Sequence, residues 1–290
     1  MELTAGFVRA ALPARDPMGH KGTFGKVYCL CGSVGFTGAP VLAGRAAMRM
    51  GSGLVYLGVP EGAWTVVAAK CDEVMAFPLP DTGAGKLALR AETAIRAAAA
   101  PCDAVLIGCG LGRSAETDAL TRRLLDLPQP LVLDADGINA LSGHIDELDR
   151  RRGLATVLTP HEGEFARIGD LQAGREASAA AFARERGAYL ILKGHRTVIA
   201  APDGRLAVNP TGNSGMAKGG SGDILSGMVV SLLGQGLEPF AACCAAVYLH
   251  GLAGDLAARE KTERSMLPTD LLERIPAAVA ETERGPGGTC

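Results

Sequence analysis

NPTGNSGMAKGGSGDILSG, Asn209 to Gly227, is the stretch on which the reading of the chain turns. Its glycine-rich turn, Gly219 to Gly222, leads directly into the apolar run Ile224 to Leu233, the pattern of a loop entering a buried helix. A helix start of that kind aims free backbone N–H groups and the positive end of the dipole at one point, where an anion belongs. The glycines let backbone approach phosphate oxygens without a Cβ in the way, so the N–H groups of Gly220, Ser221 and Gly222 become candidate donors to a transferring group. Asp223 sits inside that cup. An Asp after Gly is ordinarily a helix-start residue, but the polar company of Asn209, Thr211, Asn213, Lys218 and Ser221 favours a functional loop with Asp223 as its base.

Outward from this loop, apolar β-branched runs alternate with Ala-rich helical patterns, the sequence form of repeated βαβ units. Strands are expected at Val27 to Cys31, Leu54 to Val59, Val74 to Leu79, Ala104 to Ile107, Leu131 to Leu133, Thr156 to Leu158, Tyr189 to Leu192, Val198 to Ala201 and Leu206 to Val208. A helix is expected over Ala39 to Met50, and two long helices after residue 220. The last three strands crowd around APDG, Ala201 to Gly204, which predicts a hairpin and an antiparallel edge on an otherwise parallel α/β sheet. No linker or repeat divides the chain, so residues 1–283 read as one domain and RGPGGTC, Arg284 to Cys290, as a flexible tail.

Several polar segments fall at expected strand ends, where parallel α/β sheets gather ligands: the loop after Cys31, GCGLG (Gly108 to Gly112), DADGIN (Asp134 to Asn139), PHEGE (Pro160 to Glu164) and KGHRT (Lys193 to Thr197). Each has an ordinary structural explanation. Asp136 could cap a short turn, Glu162 and Glu164 complement a helix dipole, and KGHRT could be a solvated basic bend. GCGLG departs from the dinucleotide fingerprint at Arg113, and no P-loop, GxSxG elbow or HExxH helix occurs.

The 29 basic and 31 acidic residues are spread along the chain, which gives no electrostatic footprint for nucleic acid or anionic membrane and leaves small molecules as the default partners. The eight cysteines form no CxxC pair, residues 1–20 do not read as a signal peptide, and the apolar runs are interrupted or too short to span a bilayer. A reducing cytoplasm is the expected setting.

Taken in order, KGTFGKVYCLCGS, FTGAPVLAGRAAMRMGSGLV, IGCGLG, LDADGIN, LTPHEGEF, LKGHRTVIA and NPTGNSGMAKGGSGDILSGMV resemble the NAD(P)H-hydrate dehydratase family, a branch of the ribokinase-like superfamily, from about Lys21 to Ala257. The resemblance implies a three-layer α/β/α fold, Mg2+, and an ADP (or ATP) dependent repair of the S form of hydrated NADH or NADPH. It also implies a homotetramer and a separate epimerase, since residues 1–20 leave no room for one. By the same resemblance Ala39, Gly110, His161 and Asp223 contact the hydrated dinucleotide. Lys193, Gly194, His195, Arg196, Thr197 and Gly222 hold the adenine nucleotide, and Glu164, in the position of the superfamily's Asn-x-x-Glu glutamate, is an outer-shell metal residue.

Departures are Glu162 where the family often has Pro, Ser221 where it often has Thr, and Lys218 where a neutral residue is common; the two charges put nucleotide preference in question. Two rivals stay open: a vitamin-precursor kinase of the same superfamily, which would release a stable phosphorylated alcohol, and a nucleotide-binding regulator without catalysis.

Overall fold

The computed structural model describes residues 1–285, and its centre is one nine-stranded sheet in the order β3-β2-β1-β4-β5-β6-β7-β8-β9. The strands are β1 Lys26–Leu30, β2 Leu54–Pro60, β3 Met75–Leu79, β4 Ala104–Ile107, β5 Leu131–Leu133, β6 Thr156–Leu158, β7 Tyr189–Leu192, β8 Val198–Ala200 and β9 Leu206–Val208. β3 through β7 are parallel, while β8 and β9 run antiparallel around the APDG turn, as expected. Strands such as β4, AVLI, are buried on both faces, which is why they lack polar alternation.

The helices are α1 Ala5–Ala11, α2 Gly38–Arg49, α3 Glu61–Ala68, α4 Glu92–Ala99, α5 Ala115–Arg123, α6 Asp136–Asn139, α7 Glu162–Phe165, α8 Arg175–Arg186, α9 Ser221–Gly234, α10 Pro239–Ser265 and α11 Pro268–Arg284. They divide into two layers, each with its own core. Val27 and Cys29 of β1 face the layer containing α2, α9 and α10, whereas Tyr28 and Leu30 face the layer containing α4, α5 and α8.

Several expectations are corrected. The chain after residue 220 forms three helices, because Gly236, at φ +85, and Pro239 separate α9 from α10, and Leu267–Pro268 separates α10 from α11. β1 ends at Leu30, since Gly32, at φ +84, turns the chain out of the sheet. β3 begins one residue later than expected and β8 ends one earlier. α11 runs to Arg284, which the sequence assigned to the tail; residues 286–290 lie outside the described residues. Finally, α10 is long and apolar enough to cross a bilayer by length and composition, yet 78% of its apolar window is buried in the fold, where it packs on α9 and α11.

β1 continues to β2 on one side, and the chain later returns to pair β4 on the other. Connections leaving β1 and β4 therefore diverge to opposite layers and open a crevice at their carboxyl ends.

Candidate functional site

Gly220 takes φ +109 as the N-cap of α9, a conformation that glycine adopts without strain. A Cβ there would also press on Leu42 of α2 and Pro268 of α11. Among the described residues, the N–H groups of Gly222 and Asp223 take no backbone carbonyl, so both remain available at the helix start. Of the three donors read from the sequence, Gly220 and Gly222 likewise have no backbone acceptor among the described residues, whereas the Ser221 N–H donates to the Lys218 carbonyl at 3.3 Å.

α9 lies along α2 so closely that a Cβ on Gly227 would collide with the carbonyl of Ala43, and Ser231 Oγ donates to the Ala47 carbonyl at 3.0 Å. One helical turn before each of the first pair, Ala39 comes level with Asp223. Gly110 reaches the same place from the loop after β4. Its φ is +63, and a Cβ on it would stand 2.9 Å from that of Ala39. Gly32 N–H donates to the Cys109 carbonyl (2.8 Å) and Ser33 Oγ to the Gly110 carbonyl (2.8 Å), which ties the two diverging loops together. Ala39, Gly110 and Asp223 therefore converge on the crevice.

KGHRT lies on the other side of Asp223. It lines a cavity of about 740 Å³ together with His161, Asn209 to Ser214, Lys218, Ser221, Gly222, Leu225 and His250. Arg175, at the start of α8, wires this loop from behind: its guanidinium donates to the carbonyls of Leu192 (3.0 Å) and His195 (2.6 Å). Arg196, at φ +55, is held by Glu2 at 2.6 Å.

His161 and Glu164 form a reciprocal cap on α7: His161 Nδ1 accepts from the Glu164 N–H (3.2 Å), and Glu164 Oε2 accepts from the His161 N–H (2.9 Å). The His161 imidazole remains exposed toward the cavity, while the buried Glu164 carboxylate stands 3.8 Å from Lys193 Nζ.

The sequence reading missed the group that joins these parts. Asp134, buried at the end of β5, accepts from Thr159 Oγ1 (2.7 Å) and Lys193 Nζ (3.0 Å) on one oxygen, and its other oxygen faces Cys109 Sγ at 3.5 Å. Cys109, Asp134 and Asp223 offer atoms all within 4.8 Å of one another. Burial pushes the Asp134 carboxyl upward, but the Lys193 ammonium and the Thr159 and Lys193 hydrogen bonds outweigh it, so Asp134 stays below the usual carboxylate range. Lys193 is raised in turn: burial opposes its charge, and Asp134 and Glu164 more than offset that. Asp223 is pushed up to about 7, by burial first and by the Asp134 charge second, against smaller opposing effects of Cys109 and Lys193. His250 falls to about 4 through burial and is neutral near pH 7; its Nε2–H donates to the Ser221 carbonyl at 2.9 Å and steadies the cup. Cys109 lies well above the ordinary thiol value, through its hydrogen bond with Cys31 and its burial, so it is a thiol and no thiolate.

Other polar residues of the opening stretch are spent on architecture. Thr211 Oγ1 donates to the Tyr248 carbonyl (2.9 Å), Asn213 Nδ2 to Asp255 (2.9 Å), and Asn209 Nδ2 to the Thr211 carbonyl (3.0 Å). Lys218 directs its ammonium to the Arg264 and Met266 carbonyls at the end of α10, and Glu162 pairs with Arg175 at 3.1 Å. Both charges that raised the question of nucleotide preference thus have partners in the fold. Asp136 caps no helix; its carboxylate accepts the Gly112 N–H at 2.9 Å and joins DADGIN to GCGLG.

A family model for NAD(P)H-hydrate dehydratase matches residues 27–277. The chain belongs to the NAD(P)H-hydrate dehydratase family. It is 45% identical over 287 residues to the bifunctional NAD(P)H-hydrate repair enzyme of Moorella thermoacetica, covering 97% of this chain and 54% of that one. With the ADP-dependent (S)-NAD(P)H-hydrate dehydratase of Neisseria meningitidis it shares 40% identity over 252 residues, 84% of this chain and 80% of the relative. The crystal structure of the Bacillus subtilis ADP/ATP-dependent NAD(P)H-hydrate dehydratase, co-crystallised with ATP and Mg2+, superposes with a TM-score of 0.81 at 33% identity, covering 97% and 98% of the two chains. The expected ribokinase-like fold is thereby established. The chain spans about half the length of the bifunctional relatives it matches. Among the residues the family pattern marks, Asp223, Gly222 and Lys193 sit around Asp134, a residue whose only sequence signal was its place at a strand end beside other polar segments.

Proposed function

We propose that this chain uses ADP to dehydrate the S form of hydrated NADH or NADPH, returning the reduced dinucleotide with AMP and phosphate. The observation that carries the reading is the place of Asp223: a proton-accepting carboxylate at an anion-binding helix start, between the Ala39–Gly110 crevice and the 740 Å³ cavity. The dinucleotide occupies the crevice against Ala39 and Gly110, with His161 at its edge. The adenine nucleotide occupies the cavity against Lys193 to Thr197, its terminal phosphate at Gly222.

Hydroxide is a poor leaving group at neutral pH. Asp223 accepts the proton of the substrate hydroxyl as that oxygen attacks the terminal phosphorus, and the bond to the departing AMP breaks. N–H groups of Gly220, Gly222 and Asp223 stabilise the charge on the transferring group, beside the Ser221 N–H that the Lys218 carbonyl accepts. The carbon–oxygen bond of the phosphate ester then breaks with electrons from the ring nitrogen, and the neighbouring ring carbon gives up a proton to restore the reduced nicotinamide.

The donor set suits a hard cation, because Glu164, Asp134 and Asp223 provide carboxylate oxygens around the phosphate site and Cys109 beside them is a protonated thiol. Magnesium, when bound, neutralises phosphate charge; Glu164 would hold it through water, while Asp134 remains occupied by Lys193.

Purified protein mixed with hydrated NADH, Mg2+ and either ADP or ATP is expected to regain near-ultraviolet absorbance and release phosphate, faster with ADP. A stable phosphorylated product without the chromophore would instead identify a kinase, and nucleotide binding without phosphate release a regulator. We further read residues 1–283 as one domain. The assembly we favour is a homotetramer, with the exposed Trp64 and Phe77 near the β3 edge available for contacts between copies, which light scattering would check. Epimerisation of the R form is assigned to a separate protein. A cytoplasmic setting accords with the free state of all seven described cysteines.

A further inference from the structure

We propose that Arg175 is a positioning residue for the adenine nucleotide: from behind the loop Lys193 to Thr197 its guanidinium takes up the loop's carbonyls and leaves the loop's N–H groups as donors to the ligand. The inference rests on that loop being the nucleotide site. The terminal nitrogens of Arg175 donate to the carbonyls of Leu192 (3.0 Å) and His195 (2.6 Å), with a longer contact to that of Arg196 (3.5 Å). A guanidinium is planar and permanently charged, so it holds several carbonyls in one fixed arrangement, which an ammonium on a flexible stem does not. The N–H groups show the complement. Among the described residues, those of Gly194, His195, Arg196 and Thr197 have no protein acceptor, and Gly194 to Arg196 are exposed. Runs of free backbone N–H groups are ready binding elements for anionic acceptors.

The loop is shaped to receive the guanidinium. Gly194 takes φ +152, and a Cβ on it would stand 2.7 Å from Arg175, so the missing side chain is what admits the arginine. Arg196, at φ +55, adopts a conformation that a residue with a side chain keeps only where its surroundings hold it there. Glu162, at the start of α7, sets a carboxylate 3.1 Å from Arg175 Nε, whose N–H has no aligned acceptor; the contact is an ion pair and no hydrogen bond. The Lys193 N–H donates to the Pro160 carbonyl at 2.8 Å, so the loop and the entry to α7 are joined by backbone on one side and by Glu162 and Arg175 on the other. Arg175 does not line the 740 Å³ cavity, and Glu162 matches its charge. It therefore acts on the nucleotide through the loop.

The test reads the loop and the affinity separately. The full chain, labelled with nitrogen-15, is titrated with ADP and Mg2+ while the amide signals of Gly194 to Thr197 are followed by NMR. These signals are expected to shift; if ADP binds and they stay unmoved, the loop is not the nucleotide site and the inference falls with that assignment. With the shifts in place, Arg175→Met is expected to weaken ADP binding about tenfold by calorimetry and to raise KM for ADP alike. Meanwhile kcat at saturating ADP and KM for hydrated NADH should stay within about twofold of the wild type. Arg175→Lys keeps the charge but loses the fork, and should recover only part of the affinity. A folded Arg175→Met protein that binds ADP as the wild type does overturns the positioning role, even with a lowered Tm, and leaves the loop assignment standing. Full recovery by lysine overturns it too. If Arg175→Met fails to fold, Arg175→Gln takes its place: weakened ADP binding with kcat retained supports the proposal, and unchanged affinity overturns it.

Discussion

The carboxyl end of β5 and the first turn of α9 each place one aspartate in the same cluster, Asp134 buried and Asp223 partly so, and the two behave oppositely. Asp134 collects Thr159 and Lys193 and stays ionised, while Asp223 has no cation of its own and holds its proton up to about 7. Residue type and burial do not separate a structural carboxylate from a reactive one here. The count of committed donors does.

Asp223→Asn should break the contrast most completely. With its proton acceptor gone, kcat for dinucleotide repair should fall by about a thousandfold, read as absorbance recovery, with ADP affinity retained. The same substitution should stabilise the protein above pH 7. Because the folded-state pKa of Asp223 lies above its unfolded value near 4, the native state holds the extra proton between those values, and stability falls as pH rises through that window. The asparagine protein escapes this loss, gaining up to about 4 kcal/mol in urea unfolding at pH 8 and almost nothing at pH 4.

Lys193→Met strands the Asp134 anion and should cost about 3–5 kcal/mol of stability near neutral pH in the same assay. Asp134 has a lowered folded-state pKa, so its stabilisation in the wild type is present above the unfolded value and is lost as pH falls through the folded one. The cost of Lys193→Met should accordingly shrink toward acid pH.

Thr159→Val removes one neutral donor from Asp134 and sharpens the comparison at smaller scale, with about 1–2 kcal/mol of stability lost. Cys109→Ala should have the smallest effect. The thiol favours the charged form of Asp223, so without it the acid limb of the pH–rate profile should move slightly upward.

Much of the frame was legible in the sequence. β4, β5, β6, β7 and β9 fall at the expected residues because their apolar runs are bounded by turn residues on both sides. The positions of GCGLG, PHEGE and KGHRT at strand ends located the site for the same reason. Strand order was not legible, since local periodicity carries no information about which side of β1 receives β4, and the crevice follows from that order. Partner choice was also hidden. The residues Asn209, Thr211, Asn213 and Lys218 looked functional as a polar cluster, yet all four use their hydrogen bonds to fasten the loop, and all four reach α10 or its end. Asp134 looked like one more polar strand end and organises the centre.

The contact of Gly227 with the backbone of Ala43 sets a limit on how this scaffold can diversify. Where two helices meet through side chains, a larger or smaller residue can alter their spacing by degrees. Here backbone meets backbone, and the first turns of α2 and α9 form one rigid jaw that carries both Ala39 and Asp223. A new substrate can be admitted by changing the loops that face this jaw. Shifting α2 to widen the crevice would carry the base out of register with the phosphate cup, so redesign should begin at Phe36 and the loop around Gly110.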